Sequence, residues 1–186
     1  MSYERVRSRD TMYRGIILSL DRVTVQLEDG REAIREIVRH DGAVCIVPVL
    51  DDASIVFVRQ FRLAAAGELL EIPAGKLEAG EDPAEAAARE LSEETGYRAG
   101  KIRKLGSYFL APGYSTELMH TYLATSLTPG ETQPDEDEHV SVEIVPAERI
   151  TEMIAEGAIR DAKTLAALML ARIAGVQQAA PKDGGS

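Results

Sequence analysis

The chain has no tryptophan, only three phenylalanines, a single cysteine and no apolar run approaching membrane length. A lone cysteine cannot close an internal disulfide, so the fold must stand on its core. Cys45 lies in the apolar run 43–47 and reads as inert packing. The lack of a long apolar stretch excludes a membrane-spanning helix. With no cleavable leader either, the expectation is a cytoplasmic protein with no membrane partner. Basic charge is scarce as well: 21 Lys and Arg face 31 Asp and Glu, for a net charge of −10. That balance opposes binding to a nucleic-acid backbone. It also gives an anionic substrate no help from the global field, so local arginines or metal ions must attract it. What is present is 186 residues with 45% hydrophobic content, enough for one full core with at most a small appendage. No internal repeat is visible.

Three strand-like stretches open the chain, at 15–20, 22–28 and 32–38, the last two joined by Asp29-Gly30. Asp-Gly between alternating runs is a strong hairpin signal. A sheet this small cannot cover its own apolar face, and Ile16, Leu18, Val23, Val25 and Leu27 all need burial. Strands are then expected at 43–50, 54–60, 102–110, 118–125 and 140–145. Helices are expected at 147–156 and 161–174, the second capped by Asp161. The polar tail 177–186 reads as disordered.

Between Gly75 and Tyr97 the sequence is GKLEAGEDPAEAAARELSEETGY. It fits G-x5-E-x7-R-E-U-x-E-E-x-G-U at every position, U being a bulky apolar residue. At average residue usage the seven fixed positions coincide by chance about once in 10⁸ windows. Asp82 as N-cap, Pro83 at the first position and Glu85 closing a capping box start a helix. Gly96 supplies a left-handed stop. Glu90, Glu93 and Glu94 then share one face, beside a packing face of Ala84, Ala87, Ala88, Leu91 and Thr95. Glu90 and Glu94 are like charges at i,i+4, and Arg89 is the only basic residue between Asp82 and Tyr97. An ordinary solvated helix face would not be built this way, because the pair costs about 0.2–0.5 kcal/mol. A hard cation is the expected compensation, and carboxylate oxygens select Mg²⁺, with Mn²⁺ as a substitute. The reaction class is metal-assisted attack on a phosphoanhydride. Arg89 lies i,i+4 from Glu93 and is expected to orient it.

This stretch is identified as the Nudix box, and beyond it the chain resembles the ADP-ribose pyrophosphatase branch of the Nudix hydrolases over roughly residues 10–175. Pro112 in APGYSTE falls 16 residues past Gly96, similar to a proline marker of that branch. Gln60-Phe61-Arg62, Leu70-Glu71-Ile72-Pro73-Ala74-Gly75 and Asp135-Glu136-Asp137-Glu138 are similar too. The resemblance implies an α/β fold, a Nudix α/β/α sandwich with a mixed sheet. A small three-stranded antiparallel N-terminal sheet precedes it. The implied division is 1–40 for the sheet used in homodimerisation, 41–176 for the Nudix domain and 177–186 for the tail.

The resemblance further implies metal ligation by Glu90, Glu94 and the Ala74 carbonyl, with Glu93 in the same cluster and Arg89 among the catalytic group. Glu136 is implied as the base and Glu138 as the metal-side acid, against the alternative of a solvated acidic loop. Arg62, Glu71, Pro112 and Glu117 are implied at the substrate, with Arg62 matching a diphosphate bidentately. The implied activity is Mg²⁺-dependent hydrolysis of a small nucleoside diphosphate, ADP-ribose, to AMP and ribose 5-phosphate. A nucleotide sugar of the GDP-mannose or UDP-glucose type is the alternative substrate, because pocket side chains rather than the box set that choice. A non-catalytic nucleotide-sugar sensor is the alternative of another class, disfavoured by the intact carboxylates. The missing tryptophan departs from members that clamp the base with indoles, which leaves Tyr13, Tyr108 and Tyr114 as unranked stacking candidates.

Overall fold

The computed structural model describes residues 3–132 and 140–176. The chain divides into two compact units: Met1–Gly42 with Tyr108–Met119, and Ala43–Ser107 with His120–Ser186.

The first unit is a three-stranded antiparallel sheet in the order β1-β2-β3, with β1 Arg5–Arg14, β2 Ser19–Gln26 and β3 Glu32–Arg39. The first strand is not where the apolar alternation placed it. Residues 15–18 form the turn into β2, closed by Gly15 N–H on the Leu18 carbonyl at 2.9 Å. The strand lies upstream, exposed along its whole length. Its sequence, RVRSRDTMYR, has no apolar alternation to betray it. The Asp29-Gly30 turn forms as read, with Gly30 at φ 85°.

Along β2 the period of two puts Asp21, Val23 and Val25 on the buried face. Of the five residues expected to need a partner surface, Val23 and Val25 are therefore already covered and Leu27 is half-buried. Ile16 and Leu18 remain exposed, joined by Ile17, Met12, Tyr13 and Ile34. Asp21 is buried beside Arg9 and Arg39, each with Nη1 at 3.6 Å from Oδ2, while Thr11 donates to Oδ1 at 2.8 Å. The segment 108–119 joins this unit through a parallel bridge between Val38 and Ser115.

Among the described residues the second unit holds two sheets and three α-helices, with residues 108–109 and 118–119 of its two longest strands counted in the first unit. β4 Ala43–Pro48, β5 Ile55–Arg62, β6 Gly67–Glu71, β7 Ala74–Lys76, β8 Tyr97–Phe109, β9 Leu118–Pro129 and β10 Val140–Val145 form the orders β10-β5-β6 and β7-β4-β9-β8. The helices are α1 Pro83–Thr95, α2 Ala147–Ala155 and α3 Ala162–Ile173. Strand β4 is buried at every position, as expected of a strand covered on both faces. Its Val44 and Ile46 pack with Ala86, Ala87 and Leu91 of α1 and with Tyr122 and Ala124 of β9. Alternation turns Cys45 and Val47 to the opposite face, and α3 also lies against β4. The result is the expected α/β/α layering with a mixed sheet. Cys45 is a fully buried thiol outside any disulfide, 3.3 Å from the Thr121 hydroxyl. Among the described residues no helix is long and apolar enough to cross a membrane.

Candidate active site

Helix α1 begins and ends on the signals in its sequence. Asp82 accepts from the Ala84 N–H at 2.8 Å, Pro83 occupies the first position, and Gly96 closes the helix at φ 73°. Its rotation differs from expectation in one respect. Ala88 is exposed and Ala86 is buried, so the buried arc runs through Ala86, Ala87, Leu91, Glu94 and Thr95. At 100° per residue, Glu90 and Glu94 fall inside that arc rather than beside it. The helix therefore presses its carboxylates against the body of the protein. Such charges persist only when neighbouring groups are aimed at them.

β7 and Arg89 supply those groups. The Ala74 N–H donates to Glu94 Oε2 at 3.1 Å, and Glu94 is only 4% exposed. Gly75, next along β7, faces Glu90. A Cβ built at Gly75 would fall 1.9 Å from the Glu90 carboxylate carbon, so only glycine lets that carboxylate settle on the strand. Arg89 donates through Nη1 to both Glu90 and Glu93 at 2.9 Å, and through Nε and Nη2 to Glu81 at 3.0 and 3.1 Å. The Glu81 bonds, foremost, hold the Arg89 guanidinium well above its ordinary range, against the opposing effect of burial. The same bonds lower the Glu81 carboxyl. The expected Arg89–Glu93 pair is thus one arm of a clamp that also grips Glu90 and Glu81.

Among the described residues no three carboxylate, imidazole or thiolate groups converge at metal-holding spacing. Mg²⁺ does not require three. One or two carboxylates with waters and substrate phosphate oxygens suffice. Two all-oxygen ligands one helical turn apart, one of them seated in a cradle that a side chain would fill, fit a hard divalent cation.

A second charged group lies on the strands leading into the box. Arg62, at the end of β5, donates through Nε and Nη2 to both oxygens of Glu71, at the end of β6, at 3.1 and 2.7 Å. Glu71 is 1% exposed and also accepts from Lys163 Nζ at 2.5 Å. Lys163 in turn reaches Asp161, whose carboxylate caps α3 through the Thr164 N–H. Hydrogen bonding to Glu71 raises the Arg62 pKa above its usual value, with further help from the charges of Glu94 and Asp161. Burial alone would raise the Asp161 carboxyl, but Lys163 and Thr164 outweigh it and bring it below the ordinary carboxylate value. Sequence reasoning passed over Lys163 and counted Glu81 only as a fixed position of the box, with no role at the site. A lysine in the first turn of a helix, where the dipole disfavours cations, was the available signal for the first. The fixed glutamate of the box was the signal for the second.

A model of the NUDIX domain matches residues 39–168. The chain belongs to the Nudix family. An ADP-ribose pyrophosphatase of Bacillus subtilis (strain 168) is 38% identical over 178 residues, covering 95% of this chain and 96% of that protein. A GDP-mannose pyrophosphatase of Shigella flexneri is 34% identical over 147 residues, 70% of this chain and 76% of the other. A crystal structure of an ADP compounds hydrolase superposes with a TM-score of 0.83 at 26% identity, covering 91% of this chain and 92% of that one. As a Nudix hydrolase, the chain carries Glu90, Glu93, Glu94, Arg89, Ala74, Arg62 and Glu71 in its second unit. Pro112 and Glu117 belong to the first. Pro112 is exposed in the turn that starts at Ala111, and the Glu117 N–H donates to the Ser115 hydroxyl at 3.1 Å. Glu136 and Glu138 lie outside the described residues.

Proposed function

We propose that the protein hydrolyses the diphosphate bond of ADP-ribose, giving AMP and ribose 5-phosphate, with Mg²⁺ as its cofactor and Mn²⁺ as a substitute. The observation that carries this reading is the Glu90 carboxylate settled on Gly75 one helical turn from the buried Glu94. Glu90, Glu94 and the Ala74 carbonyl would hold the cation, with Glu138 approaching from the acidic run. The cation, when bound, offsets charge on the diphosphate and acidifies a water. Arg89 orients Glu90 and Glu93 through its shared Nη1, and so acts as a positioning residue. Arg62 offers the diphosphate the guanidinium edge that faces away from Glu71. Glu71, buried beneath two cations, fixes that guanidinium rather than reaching a ligand itself. Glu136 would take the proton of the attacking water, and Pro112 and Glu117 would shape the substrate side.

The ADP-ribose assignment draws on the relative that spans nearly the whole chain and on the APGYSTE segment with Pro112. The GDP-mannose pyrophosphatase relatives make a GDP-sugar the second reading. A panel of ADP-ribose, GDP-mannose and UDP-glucose, assayed with Mg²⁺ and with Mn²⁺, separates the two. ADP-ribose should have the highest kcat/KM, and a higher value for GDP-mannose would overturn the assignment. We further infer a cytoplasmic homodimer formed through residues 1–40, supported by the exposed Met12, Tyr13, Ile16, Ile17 and Leu18 of the first unit. Light scattering at micromolar concentration should give twice the 20.2 kDa chain mass, and a monomer would remove this part of the reading.

A further inference from the structure

The Arg62 side chain is 40% exposed, while Glu71 and Lys163 behind it are nearly buried. With Asp161 they form a chain of alternating charge, Arg62⁺–Glu71⁻–Lys163⁺–Asp161⁻, drawn from β5, β6 and the start of α3. Placing an ammonium in the first turn of a helix opposes the helix dipole, and burying it forfeits hydration. A leucine or methionine there would pack with neither penalty. The segment that carries Glu71 is also pinned to α3 by the Ile72 N–H on the Thr164 hydroxyl at 3.0 Å, so the ammonium is not needed to dock the helix.

We propose that Lys163 is a positioning residue that sets the affinity of the site for a nucleoside diphosphate by sharing the charge of Glu71. This inference rests on the reading of Arg62 as a phosphate ligand. Glu71 is an acceptor-only carboxylate with both oxygens on Arg62 and one of them also on Lys163. With Lys163 present the quartet is neutral, and half of the demand of Glu71 is met from behind. The field of Arg62 then extends outward to an arriving anion. Without Lys163 the buried carboxylate has one cation left. Arg62 is drawn onto it, and the group facing the substrate carries net negative charge next to Glu94, whose charge Arg62 already feels. Asp161 works in the opposite direction, because it diverts Lys163 away from Glu71.

The test uses the full chain with ADP-ribose and Mg²⁺, and reads KM and kcat separately. Lys163→Met leaves the quartet at −1 and should raise KM about tenfold while kcat stays within about twofold, the size expected for one charge acting through partly screened protein. Asp161→Asn leaves it at +1 and keeps the helix cap, since Asn caps as well as Asp. Its KM should fall by about twofold. Lys163→Arg should stay near wild type. The double variant Glu71→Gln/Lys163→Met removes one charge of each sign and should bring KM back toward wild type, an arm that survives if Lys163→Met alone fails to fold. A purely structural role predicts something else: both single variants raise KM together, in step with a lowered Tm. Arg62→Met separates the two levels of the reading. If it leaves KM unchanged, Arg62 is no phosphate ligand and the Lys163 inference falls with it. If it raises KM while Lys163→Met and Asp161→Asn shift KM in the same direction or not at all, the Lys163 inference alone is overturned.

Discussion

Helix α1 and the N-terminal sheet handle exposed chemistry in opposite ways. The helix buries charge: Glu90 and Glu94 lie within its packed arc, held by a backbone N–H, a glycine cradle and one arginine clamp. The sheet exposes apolar side chains, with Ile16 fully in solvent and Met12 and Tyr13 more than half exposed. Each arrangement is unfavourable for an isolated chain, by desolvation in the first case and by apolar surface left in water in the second. In the reading proposed above, each region is completed by something it does not contain: a cation and a diphosphate for the helix, a second copy of the chain for the sheet.

The largest effect should come from breaking the helix side of this comparison. Glu94→Gln should lower kcat by about 10²-fold or more, in the range seen when groups that hold or orient a catalytic metal are lost. Gly75→Val should do the same by evicting the Glu90 carboxylate. Both variants should keep the circular dichroism spectrum of the wild type. In both, the rise in Tm produced by Mg²⁺ should shrink, because a ligand that binds the folded state stabilises it by mass action. A wild-type kcat for either variant at saturating Mg²⁺ would place the cation elsewhere.

A smaller contrast lies in stability. Leu91 is fully buried, and Leu91→Ala should cost about 2–5 kcal/mol in a denaturant titration. Ile16→Ser, at a fully exposed position, should change the stability of the chain itself by less than about 0.5 kcal/mol. It should nonetheless shift the mass measured by light scattering toward the monomer as protein is diluted. If Ile16→Ser left association untouched while Leu91→Ala behaved as expected, the exposed apolar turn would have no part in pairing.

The smallest effect is one of pH. The Asp161 pKa is held below its unfolded value, so its contribution is fully present above the ordinary carboxylate pKa of about 4 and is lost as pH falls through the lowered folded value. Between pH 7 and pH 3 the wild type should therefore lose more Tm than Asp161→Asn does. Equal losses would mean that the Asp161 pairing contributes nothing.

What could be read ahead of the structure was what the chain encodes locally. The caps of α1 and α3, the hairpin turn at Gly30 and the strand at 140–145 each rest on residues within a few positions of one another. Strands β6 and β7 escaped notice because they are short and flank Pro73 in a stretch of mixed polarity. β1 escaped because its ten residues alternate in nothing a hydropathy pattern registers. At the site, Arg89–Glu93 follows from helical spacing, whereas Lys163–Glu71 joins residues 92 positions apart and has no local signature beyond a misplaced cation. The rotation of α1 was misjudged by treating its alanines as equivalent, when Gly75 decides which side of the helix meets the strand.

Asp21 gives the N-terminal sheet a property that its thin apolar pattern could not. Among the described residues its Oδ2 has no hydrogen-bond donor, and it lies between arginines from the two flanking strands. A slip of one residue along β2 would withdraw this carboxylate and turn Arg22 toward Arg9 and Arg39, gathering three guanidinium groups with no counter-ion. Mispaired forms are therefore opposed by repulsion as well as by the lost burial of Val23 and Val25. Alignment of the strands is, in effect, proofread by charge, and high salt should loosen that proofreading before it weakens the fold.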